Sequence, residues 1–81
     1  MNIQQQALQH DKQGDWHNAH DLIDQLTDLR SAHIHAYLHR KEGDDWNAKY
    51  WYNRAGKPFY QGSLEQEWEE LWQLYGVPNP D

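Results

Sequence analysis

The sequence predicts an all-α fold: two antiparallel helical hairpins followed by one C-terminal capping helix. Three observations carry this expectation. Residues 6–19, QALQHDKQGDWHNA, recur as residues 35–48, HAYLHRKEGDDWNA, with seven of fourteen positions identical at an offset of 29. Each copy carries Gly-Asp near its middle, Gly14-Asp15 and Gly43-Asp44. Gly enters the left-handed backbone that ends a helix, and Asp caps the start of the next. Between these corners the apolar side chains recur at helical rather than alternating spacing.

The elements follow in order. The first helix is expected over about Asn2–Gln13 and the second over about Trp16–Leu26, where Trp16, Ala19, Ile23 and Leu26 form one stripe. Thr27 or Asp28 caps a third helix, about Leu29–Glu42, and the fourth runs from about Asp45 to Ala55. Ala7 and Ala36 before the corners, with Ala19 and Ala48 after them, allow close helix approach. The stretch AGKPFYQG (55–62) reads as a loop, broken by Gly56, Pro58 and Gly62. Ser63 with Gln66 is a capping-box pattern, and Leu64, Trp68, Leu71, Trp72 and Tyr75 line one face of the helix it opens. Gly76, Pro78 and Pro80 stop that helix and leave 77–81 as a frayed tail. The domain expectation is one helical unit over 1–76: hairpins at about 2–27 and 29–56, and a capping helix at about 63–75.

Composition narrows the function. Eighty-one residues make one domain at most. Eleven aromatic rings in so short a chain mean a core built largely from rings. Without cysteine there is no disulfide scaffold, thiolate zinc site or cysteine nucleophile. Apolar runs are too short for a membrane span, no secretory leader is visible, and a cytoplasmic location is expected. A net charge of −6 argues against nucleic acid, whose phosphates supply most of the affinity for its binders.

In the second copy Ala36, Gly43, Asp44, Ala48, Tyr52 and Ala55, and in the first Ala7, Gly14, Asp15, Ala19, Ile23 and Leu26, fall in a pattern that resembles the tetratricopeptide (TPR) helix-turn-helix repeat. The resemblance covers about residues 3–56. The offset of 29 is shorter than the ~34 residues of that repeat, and Gln6/His35 and His10/His39 stand where it usually carries large aliphatic side chains or Tyr. It implies two TPR-like hairpins whose first helices line a concave face, with Arg30, His33, Tyr37, Arg40 and Lys41 of the third helix beside Leu8 and Lys12 of the first. Residues 35–56 also resemble a signature of small bacterial proteins of unknown function, which implies no activity.

The candidate chemistry is sparse. His35 and His39 are four apart on one helix face and Glu42 is one turn on, a spacing that suits Zn²⁺ or Ni²⁺. A metal site needs three or four convergent ligands, so packing is the expected role of these histidines, with no metal or other cofactor. His10 and His39, equivalent in the repeat, are expected to fill the same inter-helix slot. No nucleophile triad or phosphate loop is present, a short helical chain encloses little volume for a substrate, and no enzyme is expected. Glu65, Glu67, Glu69 and Glu70 read as a solvated acidic face. Residues 40–57 carry a net +2, and 58–81 a net −5. The basic segment either neutralises the last helix or accepts an acidic partner. Trp46, Tyr50, Trp51 and Tyr52 cannot all face one core from one helix. Tyr52 is the inward choice; Tyr50 or Trp51 is expected to stay exposed beside Arg54. The expected function is a small interaction module binding a protein or peptide partner, an acidic peptide or a second copy, through Arg30, His33, Tyr37, Arg40, Lys41, Tyr50, Trp51 and Arg54. The alternative is a small metal- or ligand-binding protein using His35, His39 and Glu42.

Overall fold

Gly14 and Gly43 hold φ of 84° and 88°, the left-handed backbone that the repeat requires of them. In this computed structural model, which describes residues 2–76, the two corners match bond for bond. Asp15 N–H donates to the His10 carbonyl at 2.8 Å and Asp44 N–H to the His39 carbonyl at 2.9 Å, the six-residue closure of a Schellman turn. Asp15 and Asp44 then cap the following helices, accepting from the backbone N–H and side-chain amide of Asn18 and Asn47 respectively.

The fold is all-α. Its helices are α1 (Ile3–Lys12), α2 (Trp16–Ile23), α3 (Leu29–Lys41), α4 (Asp45–Ala55) and α5 (Leu64–Leu71), and a π-helical turn over Trp72–Gly76 follows. α1 opens with a capping box between Asn2 and Gln5, and α5 with the one between Ser63 and Gln66. Asp28, not Thr27, caps α3, accepting from Ser31 N–H at 3.0 Å. α2 stops at Ile23, three residues short of the stripe read from the sequence: Leu26 N–H turns back to the Ile23 carbonyl at 3.0 Å, so the chain reaches the Asp28 cap. Asp24 is the C-cap of α2 and keeps helical backbone, its N–H bonded to the His20 carbonyl at 2.8 Å. α5 keeps regular pitch only to Leu71 and then widens. The tail expected at 77–81 lies outside the described residues.

α1 lies against α2 and α3 against α4, while the last turn returns to α1. The main core gathers Ala7, Leu8, Ala19, Ile23, Ile34, Tyr37, Leu38, Trp68 and Leu71. A second cluster of Ala36, Ala48 and Tyr52 is closed by Trp51, Phe59 and Tyr60. The alanines let the helices approach, and the rings fill the space at the edges.

α5 is fastened by polar contacts as much as by apolar ones. Trp68 Nε1 donates to the Leu8 carbonyl at 3.0 Å. Glu67, expected in solvent, is fully buried. It accepts from Arg40 Nη1 at 2.9 Å and from the Tyr52 hydroxyl. Burial raises its carboxyl above the usual range, and the bonds to Tyr52 and Arg40 act against that shift.

Candidate functional site

Much of the face assigned to binding from the sequence is occupied within the chain. Tyr37 is buried and donates to Asp11 at 2.6 Å, and Lys41 reaches the same carboxylate at 2.9 Å. Arg40 is committed to Glu67 and the Gly62 carbonyl. His33 is buried with Nδ1 2.9 Å from the Tyr75 hydroxyl; burial and the Lys57 cation hold its pKa down at about 4. Leu8 is in the core, Lys12 lies over the Trp68 ring at 4.1 Å, and Arg30 remains exposed. The reason lies in α1, whose Asp11 takes Tyr37 and Lys41, and in the C-terminal segment, whose Glu67 takes Arg40 and whose Tyr75 meets His33. A cleft of about 430 Å³ remains between α1, α3 and α5, larger than the sequence leads one to expect of so short a chain. Its buried polar groups, Asp11 and Tyr37, bond to each other, and Asp11 also accepts from Lys41.

The α4 surface is different. Trp46 is 79% exposed and Tyr50, one turn on, 47%. Arg54 continues the row, its guanidinium carbon 6.0 Å from the Tyr50 ring and 5.6 Å from that of Trp51. Trp51 turns inward and stacks on His35 at 4.0 Å with an interplanar angle of 18°. Lys49 on α4 and Lys57 just beyond it are also exposed. Trp46 was available to sequence reasoning through its i, i+4 relation to Tyr50, but it falls outside the residues assigned to the surface.

Three imidazoles meet between α2 and α3. His20 and His35 face each other Nε2 to Nε2 at 3.1 Å, and a ligating nitrogen of His39 lies within 4.8 Å of both. Asp24 Oδ1 is 3.7 Å from His20 Nε2 and 3.9 Å from His35 Nε2. His39 Nδ1 sits 2.5 Å from Glu42 Oε1. Trp16 stacks on His20 at 4.9 Å and anchors its own indole N–H on the Leu38 carbonyl at 2.8 Å. His35 is buried, and burial together with the neighbouring His39 and His20 depresses its pKa to about 4. Its Nδ1 is the one buried side-chain polar atom among the described residues with no hydrogen-bond partner.

The sequence places His35, His39 and Glu42 correctly as neighbours but misses His20 and Asp24. Their signal is the second i, i+4 pair, on α2; its aim at α3 depends on packing. His10 does not share the slot of His39. It is 40% exposed and 3.5 Å from Asp15, and among the described residues no helix covers it as α2 covers His39 on α3. A second acidic grouping, His39 with Glu42 and Asp44, lies at the adjoining corner. No protein-family model, curated protein or solved structure matches the chain.

Proposed function

We propose that this protein is a non-enzymatic interaction module whose α4 face binds an acidic segment of a partner protein. The observation that carries the reading is the exposure of Trp46, in one row with Tyr50 and Arg54. Trp, Tyr and Arg are the residues that most often dominate binding energy at interfaces. An indole left 79% in water costs solvation that an internal packing role does not require. The charge of the row supports an acidic ligand. The chain carries −6 overall, yet Lys49, Arg54 and Lys57 are exposed on or just beyond α4. Arg40 and Lys41, the other cations of that segment, are already paired with Glu67 and Asp11.

A glutamate-rich peptide with one central aromatic residue is the probe. Trp46→Ala is expected to change folding stability by about 0.5 kcal/mol or less, as surface substitutions do, and to weaken the peptide by about 2 kcal/mol or more. Arg54→Glu should weaken it further at low salt. Equal affinity of wild type and the double variant in fluorescence titration would remove this surface as the binding site. Sedimentation of the free chain tests whether a second copy serves as the acidic partner.

A further inference from the structure

The α2–α3 junction points to a chemistry separate from that of the α4 face. We propose that His20, His35 and His39, completed by the Asp24 carboxylate, form a tetrahedral site for a Zn²⁺-class divalent ion.

Donor number and spacing come first. A tetrahedral ion with ligands at about 2.0–2.1 Å holds its donors about 3.4 Å apart. The separations of 3.1, 3.7 and 3.9 Å among His20, His35 and Asp24 bracket that value. The His39 donor lies within 4.8 Å of those of His20 and His35, and Asp24 supplies the fourth from the His20 and His35 side. The set is built from two i, i+4 pairs, His20 with Asp24 at the end of α2 and His35 with His39 on α3. Each pair presents both donors from one helix face.

The surroundings are suited to an ion. Two imidazole Nε2 atoms at 3.1 Å need one proton between them, whereas an ion takes the lone pairs of both. A ligating histidine commonly gives its other ring nitrogen to a carboxylate, which fixes the tautomer and orients the ring; His39 has this arrangement with Glu42. Trp16 and Trp51 clamp the rings of His20 and His35 from outside. The Asp24 side chain is 44% exposed, which leaves a path from solvent to the donors.

Ligand chemistry sets the class of ion. Three imidazoles and one carboxylate without thiolate suit Zn²⁺, Cu²⁺ or Ni²⁺ and disfavour Mg²⁺ and Ca²⁺, which take oxygen shells. Four donors in this spacing favour the tetrahedral preference of Zn²⁺. The repeat makes the site particular to one junction. At the offset of 29, Lys49 stands where the first copy has His20, and Asn53 where it has Asp24. A cation and an amide there do not reproduce the donor set.

Titration calorimetry of the chelator-treated chain with Zn²⁺ tests the site. One equivalent is expected to bind saturably. His20→Gln should weaken it about 100-fold or more, and Glu42→Gln, acting through His39, about 10-fold. Asp24→Asn is expected to lower affinity while leaving helicity by circular dichroism intact. His20 and Asp24 are the deciding positions because neither is deeply buried, so loss of binding is separable from loss of fold. His17→Gln, at an exposed histidine beside Asp21, should leave uptake unchanged. Co²⁺ in place of Zn²⁺ should give the intense visible absorption of tetrahedral coordination, and His20→Gln should abolish it. Absence of saturable uptake overturns the site. Uptake that survives His20→Gln but is lost in Glu42→Gln with Asp44→Asn overturns it in favour of the adjoining corner.

Discussion

At the scale of single residues the buried Glu67 governs how the C-terminal segment attaches. Its carboxylate holds Arg40, 16% exposed, and the hydroxyl of Tyr52. Removing one partner of a buried ion pair leaves the other charge uncompensated, so Glu67→Ala is expected to cost about 3–5 kcal/mol in chemical denaturation. Arg40→Met with Glu67→Leu should recover most of that loss. If the double variant is as unstable as the single one, the pair is not the cause. Gly14→Val and Gly43→Val should each cost roughly 1–2 kcal/mol or more, because a β-branched residue is forced to positive φ. A melting temperature unchanged by either would contradict the corner geometry. The glycines were legible because the repeat isolates them. Glu67 was legible too, since it sits three after Leu64 and four before Leu71, inside the apolar stripe of its helix. Three exposed neighbours of the same charge, Glu65, Glu69 and Glu70, masked it.

At the scale of elements, local chemistry set most helix ends and packing set the rest. Asp15, Asp28, Asp44 and Ser63 all cap as their sequence context requires. Asp44→Ala should cost about 1 kcal/mol, with the loss visible as earlier exchange of the Asn47 amide. Unaltered exchange there would show that the cap contributes nothing. The early end of α2 was not legible, because the apolar stripe continues to Leu26 past the point where the chain leaves the helix. The histidine cluster was half legible for a related reason. Spacing along α3 joins His35 to His39, but the rotation of α2 that turns His20 and Asp24 toward them is a property of two surfaces in contact. The assigned face of α3 failed in the same way. The charges that would bind a partner were visible, but the sequence did not reveal that Glu67 of α5 takes Arg40 and Asp11 of α1 takes Lys41.

At the scale of the molecule the buried histidines set the response to acid. His33 and His35 both hold pKa values of about 4, below the ordinary 6.5, chiefly because burial disfavours the imidazolium. The unfolded chain takes up these two protons near pH 6.5, and the folded chain does so only near 4. Stability is therefore fully present above about pH 6.5 and is lost progressively as pH falls from there to about 4. Glu67, raised by burial, acts in the opposite sense. His33 faces Tyr75 and Lys57 and lies clear of the α2–α3 donors, so His33→Gln isolates one share of the effect. It should flatten the curve of melting temperature against pH between 7 and 5. A wild-type melting temperature constant over that range would rule this linkage out.

The contacts of α5 also impose an order on synthesis. The Leu8 carbonyl accepts from Trp68 Nε1, and the Gln5 side-chain amide donates to the Gly76 carbonyl. α1 is therefore made well before the segment that completes its burial. During translation the part of α1 that α5 covers stays open until Trp68 has emerged. A premature stop before Ser63 would release α1–α4 with the Arg40 guanidinium unpaired and Leu8 uncovered, a species suited to capture by chaperones or proteases rather than to independent life.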